Sequence, residues 1–162
     1  MLLDRMRGIT ACFSDALVTA QGSEALNDSA AVVYSVNGKM DSLAAQSSAT
    51  AIALDANGDA FVSIAASEGC VLVWGVLLGG TVMSIMQSEI KKLDTDTDDW
   101  FSGGIPQYPP LPDNFCPMAY QVLKNAAGNS AFAIGVTNWD QITDLIVNVS
   151  QLPDRPQDET VA

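Results

Sequence analysis

The segment from Cys70 to Met86, CVLVWGVLLGGTVMSIM, is strongly apolar and carries no charge. Such a run must be taken out of water, either as a membrane helix or as buried β-structure. It is short for a helical span, and Gly79-Gly80 interrupts it with Thr81 and Ser84 beyond. A Gly-Gly pair between two apolar runs is a hairpin signal. The residues therefore favour a buried hairpin, Val71 to Leu78 with Thr81 to Ile90, over a membrane helix. The run is apolar enough for burial on both faces, with Trp74 as a core anchor.

Shorter strands precede it. Ala30 to Val36 places Val32, Tyr34 and Val36 on one face. Asn37-Gly38 is a strong two-residue hairpin turn, and Lys39 to Ala45 returns from it. Ser47-Ser48 breaks the pattern, and Ala51 to Leu54 resumes it. Asp55 to Asp59 is a second turn, with Phe61 to Ile64 expected to pair back. Toward the end of the chain, Asn138 to Gln141 turns, and Leu145, Val147 and Val149 alternate as a last strand. About eight short strands with Gly and Asn turns between them predict a mainly β domain, a sandwich or barrel of possible jelly-roll type.

The N-terminus reads differently. Leu2, Leu3, Met6, Ile9, Phe13 and Leu17 recur at the helical period, with Asp4 in the first turn and Gly22 past the end. This predicts an amphipathic helix over Asp4 to Ala20, either docking on a partner or packing on its own domain. The expected organisation is a helical arm over 1–22, one β domain over 23–157 and a polar tail over 158–162. A single domain suits 162 residues, a length that buries roughly 68–70% of the unfolded surface without staples.

Charge excludes some partners. Nineteen acids against 7 bases give a net charge of −12. Nucleic-acid binding needs a basic footprint, so no nucleic acid is expected, and anionic membrane surfaces are disfavoured too. Cys12, Cys70 and Cys116 are odd in number and widely spaced, which supports neither a disulfide framework nor a zinc knuckle. They read as small buried hydrophobes in a reducing compartment. MLLDRMRG carries charge where a signal peptide needs its apolar run.

Two loops invite chemistry. Asp94 to Asp99, DTDTDD, resembles the start of a calcium loop, but Asp99 and Ile105 stand where an EF-hand needs Gly and Glu. A solvated acidic loop is the main reading and an irregular, weak cation site the other. Trp100, Phe101, Gly103, Gly104 and Tyr108 form an aromatic loop, suited to stacking on sugars or partner surfaces or to plugging the end of a sandwich. No catalytic constellation emerges. The chain has no histidine, no G-x-S-x-G elbow, no phosphate loop and no H-E-x-x-H. A glycosidase carboxylate pair is the one catalytic device that sequence alone leaves open. The expectation is a non-enzyme without catalytic, cofactor-binding or metal residues and without a cofactor.

The stretch Pro109 to Gly135, PPLPDNFCPMAYQVLKNAAGNSAFAIG, specifies a strand, a turn and a strand. Its prolines hold the approach extended. Met118 to Leu123 is the first strand, Asn125 to Asn129 the turn, and Ala131 to Val136 the return. Together with Leu152 to Pro156, LPDRP, this stretch resembles the C-terminal half of small tailed-bacteriophage virion proteins. Those are β-rich capsid decoration (cement) proteins, or small head-fibre and tail-appendage proteins. The resemblance rests on Pro109 to Pro117, Lys124 to Thr137 and Leu152 to Pro156, about the last third of the chain. It implies a decoration protein on the outside of a phage head. Its partners would be the major capsid protein and further copies of itself, in a homotrimer. Such a protein is made in the host cytoplasm and carried on the virion. The alternative it implies is an appendage that touches a host-surface glycan or receptor.

Overall fold

The computed structural model describes residues 10–13, 18–21, 25–28, 31–51, 54–137 and 139–148. In chain order the strands are β1 (Ala11–Cys12), β2 (Val18–Gln21), β3 (Ala25–Asp28), β4 (Val32–Val36), β5 (Lys39–Leu43), β6 (Gln46–Ala51), β7 (Glu68–Leu77), β8 (Ser84–Gln87), β9 (Lys91–Lys92), β10 (Phe115–Asn125) and β11 (Thr143–Asn148). They make three antiparallel sheets, ordered β1-β4-β5, β2-β3-β6 and β11-β10-β7-β8, with β9 also paired to β7. A 3-10 turn over Trp139–Gln141 is the only helical element among the described residues. No helix of these residues is long and apolar enough to cross a membrane.

The apolar run is a hairpin, as its Gly-Gly pair predicts. Leu72 pairs with Gln87 and Gly75 with Ser84, a register centred on Gly79-Gly80. The β7–β8 ladder stops at Gly75, while β7 continues to Leu77 against β10. β7 is buried from Gly69 to Val76, because β8 and β10 flank its edges and side chains cover each face. Cys70, Leu72, Trp74 and Val76 join Ile85, Cys116, Met118 and Leu123 in the main core. Val32, Tyr34, Val36 and Leu43 close that core from the β1-β4-β5 sheet, so the face predicted for β4 is the buried one. Val73, Met86 and Phe115 form a smaller cluster on the other face.

β10 tolerates Pro117 because the pairing with β7 slips between Pro117 and Ala119, and Met118 is the extra residue. β11 reaches only to Ala119, so the missing N–H of Pro117 costs no ladder bond on that side. The Asn37-Gly38 turn forms as expected, with φ of 50° and 80° matching the twist of β4 and β5. Asp41 ties that hairpin to the large one: its Oδ2 accepts from the Gly79 amide at 2.9 Å.

Several expectations are corrected. The helix over Asp4 to Ala20, and with it the helical arm, is not what the described residues form. Ala11 and Cys12 pair with Ser35 and Tyr34, and Val18–Gln21 pairs with β3. Strand edges with open N–H and C=O groups take these residues, which overrides a local helical period. Phe13, placed on the apolar face of that helix, is half in water. Residues 1–9, 14–17, 22, the LPDRP segment and the tail over 158–162 lie outside the described residues. Ser47-Ser48 does not break a strand, since β6 runs through it. Phe61 to Ile64 does not pair back: Ala60 alone bridges Leu54, and Ile64 bridges Phe132. Ala131 to Val136 does not return as a strand either. Phe132 makes that one bridge, and the chain then turns. The partner β10 finds instead is β11, which carries Ile146 against the core and leaves Leu145 exposed.

Candidate binding surface

The acidic loop, the aromatic loop and the proline stretch make one continuous surface feature between β9 and β10. Its first anchor is a tight turn. Leu93 bridges Trp100, the Asp94 amide donates to the Asp99 carbonyl, and the Asp98 amide donates back to the Asp94 carbonyl. Asp98 takes a positive φ of 52°, which Asp tolerates better than most residues. The carboxylates are not idle. Asp98 Oδ1 accepts from the Ala127 amide at 2.8 Å, and Asp99 Oδ1 accepts from Lys124 Nζ at 2.6 Å and from the Trp100 amide. The Lys124 hydrogen bond, above all, holds the Asp99 carboxyl below its usual range. The loop is thus stitched to β10 and the turn that follows it. Among the described residues no group of His, Cys, Asp and Glu could hold a metal ion.

Trp100 differs from the rest of the aromatic loop. Its ring lies on Gly69 of β7, where an added Cβ would run into both the ring and the Leu123 carbonyl. Lys124 Nζ sits 5.5 Å from the ring centroid, a cation–π contact. Trp100 therefore packs on the β7–β10 sheet, unlike the residues that follow it. Beyond it the loop opens. Phe101 is 51% exposed, Ile105 64%, Tyr108 61% and Leu111 38%. Pro106 and Pro109 alternate with them as buried anchors. The far end is pinned where the Phe115 amide donates to the Pro112 carbonyl, Asn37 Nδ2 to the Asp113 carbonyl and the Leu78 amide to the Asn114 carbonyl. Anchors at each end and in the middle hold four apolar side chains in solvent.

Beside Tyr108 lies an open groove of about 270 Å³, lined by Gln87, Ser88, Glu89, Gln107, Tyr108, Pro109 and Pro110. Its β8 wall is rigid. Gln87 Nε2 donates to the Val62 carbonyl at 2.8 Å while its Oε1 accepts from the Val62 amide at 2.9 Å. The Ser88 hydroxyl accepts from the Val71 amide and donates to the Glu89 carbonyl. Glu89 pairs with Lys91 at 3.1 Å. Tyr108 meets Tyr120 edge-on, with centroids 5.5 Å apart and planes at 84°. Burial and the neighbouring Tyr120 push the Tyr108 hydroxyl pKa upward, so it stays protonated at neutral pH. Sequence reasoning found Tyr108 but not Gln87, Glu89 or Gln107. These come together because residues 107–110 of the loop lie against the end of β8 and the residues after it, and no local spacing marks them.

The cysteines are free thiols. Cys70 and Cys116 are buried, and burial pushes each thiol up to about 12, far from the thiolate needed for nucleophilic chemistry. Cys12 is only partly buried, against the expectation of three buried cysteines. A scan against protein-family models, a search of curated proteins and a search of solved structures each found no match to this chain.

Proposed function

We propose that this protein is a capsid decoration protein of a tailed bacteriophage, a non-enzymatic β-sandwich that docks on the outside of the head through the 100–112 loop. The observation that carries the reading is the loop itself: Phe101, Ile105, Tyr108 and Leu111 are held in water on a backbone pinned at both ends. Apolar groups presented on a fixed backbone lose little entropy on docking, which is what a contact surface needs. The resemblance of Pro109 to Pro117 and Lys124 to Thr137 to small phage virion proteins supports the same reading and supplies the partner, the major capsid protein. A homotrimer fits the repeated contacts of a closed shell, where several modest contacts made together raise the effective concentration of the rest.

The experiment is occupancy on particles that lack the protein. Wild type should saturate heads, and Phe101→Ser with Ile105→Ser should lose most of that occupancy. Wild-type protein that never binds heads rules the reading out. A second reading, a small head-fibre or tail-appendage module that touches the host surface, is favoured by the groove beside Tyr108. Adsorption of the protein to host cells, without binding to heads, would establish it.

A further inference from the structure

We infer that the groove between the β8–β9 connection and residues 107–110 is a subsite for one neutral sugar ring of an oligosaccharide, stacked against Tyr108. The inference deepens the second reading above and rests on it for its biological use. Size comes first. At about 270 Å³ and open to solvent, the groove falls just under the roughly 300 Å³ at which ligand clefts begin, so it takes one ring of a longer chain.

Charge narrows the class. The chain carries −12 overall, which opposes an anionic ligand. Glu89, the one carboxylate lining the groove, is paired with Lys91, so a cationic guest would have to compete with that lysine. Amides, a carboxylate and hydroxyls on the walls disfavour a purely apolar guest. What remains is a neutral, polyhydroxylated ligand with an apolar face, and a pyranose ring is both. Its C–H face can lie on the exposed Tyr108 ring, and its hydroxyls can reach the Gln107 amide and the Glu89 carboxylate. The walls are set in advance. Gln87 is clamped on Val62, Ser88 on Val71 and Glu89, Pro109 is buried, and the Tyr108 ring rests edge-on against Tyr120. Little ordering is needed on binding.

The test is an NMR titration of isotope-labelled protein with maltose, cellobiose and chitobiose, with hexalysine as a comparison. At least one disaccharide should give saturable shifts confined to Glu89, Gln107 and Tyr108, with a dissociation constant on the order of 1 mM. Tyr108→Ala should weaken that binding about tenfold, and Tyr108→Phe should retain most of it. Gln107→Ala should also weaken it, and the dispersion of each variant's spectrum reports that the fold is intact. No saturable shift with any of the three sugars, shifts elsewhere, indifference to Tyr108→Ala, or binding of hexalysine alone would each overturn the inference. Adsorption to host cells measured on the same samples separates the two claims: adsorption without sugar binding keeps the appendage reading and removes the sugar.

Discussion

The β7–β10 pair and the 100–112 loop touch at Gly69 and Trp100, and each is rich in apolar and aromatic residues, yet one is buried and the other stands in water. The difference lies in the backbone. β7 is laddered to β10 along its whole length and to β8 and β9 on its other edge, with Ser88 Oγ taking the Val71 amide between them, so both faces can be covered. The loop carries Pro106, Pro109, Pro110 and Pro112, which have no N–H to give a ladder and fix φ near the extended region. It follows the surface with its apolar side chains outward. Hydrophobicity alone did not decide burial. Pairing did.

If that contrast is right, the strand pair should be intolerant and the loop permissive. The largest effect is expected at Gly75, where an added Cβ would collide with the Cys116 carbonyl and lie 2.6 Å from the Phe115 ring. Gly75→Ala should cost more than about 4 kcal/mol, enough to unfold a marginally stable domain. Chemical denaturation, or failure to obtain folded protein, checks this, and a near-wild-type midpoint would break the comparison. Next comes Trp74, whose Nε1 donates to the buried Gln121 Oε1 at 3.0 Å while its ring packs 6.2 Å from Trp139. Trp74→Phe should cost about 2–3 kcal/mol, from lost volume and from depriving Gln121 of a partner.

A smaller, pH-dependent effect belongs to Glu68 at the start of β7. The Lys92 hydrogen bond, ahead of all other causes, holds its carboxyl below the usual glutamate value of 4.5. A depressed folded pKa contributes stability that is present above the unfolded pKa and lost as pH falls through the folded one. Thermal melts should therefore show stability declining below about pH 4.5, and Glu68→Gln should flatten that decline. The smallest effect on stability is expected in the loop. Phe101→Ser with Ile105→Ser should change stability by less than about 0.5 kcal/mol while removing most of the docking. Melting and particle occupancy, measured on the same protein, would sharpen the contrast, and a strong loss of stability would show that the loop is part of the core.

The acidic loop marks a limit of local reading. Asp94, Asp96, Asp98 and Asp99 look interchangeable as a cluster of like charges. The fold gives Asp98 an amide to accept from and Asp99 a lysine, both more than twenty residues away in sequence. The N-terminal region marks another. A truncation through residue 22 would not detach an independent arm, because β1 completes the edge of β4.

By itself, the sequence determined what depends on local backbone and alternation. Asn37-Gly38 had to turn, since few other pairs take two positive φ angles. Val32, Tyr34 and Val36 had to share a face, and Gly79-Gly80 had to centre the long hairpin. Tertiary structure alone decided which strands became neighbours. β10 lies between β7 and β11 rather than beside its expected return at 131–136, and Ala11 and Cys12 are strand rather than helix. It also decided that Gln87, Glu89, Gln107 and Tyr108 line one groove. Long-range pairing chooses among strands whose local signals are nearly equal, through side-chain complementarity and the demand that each buried amide find a partner.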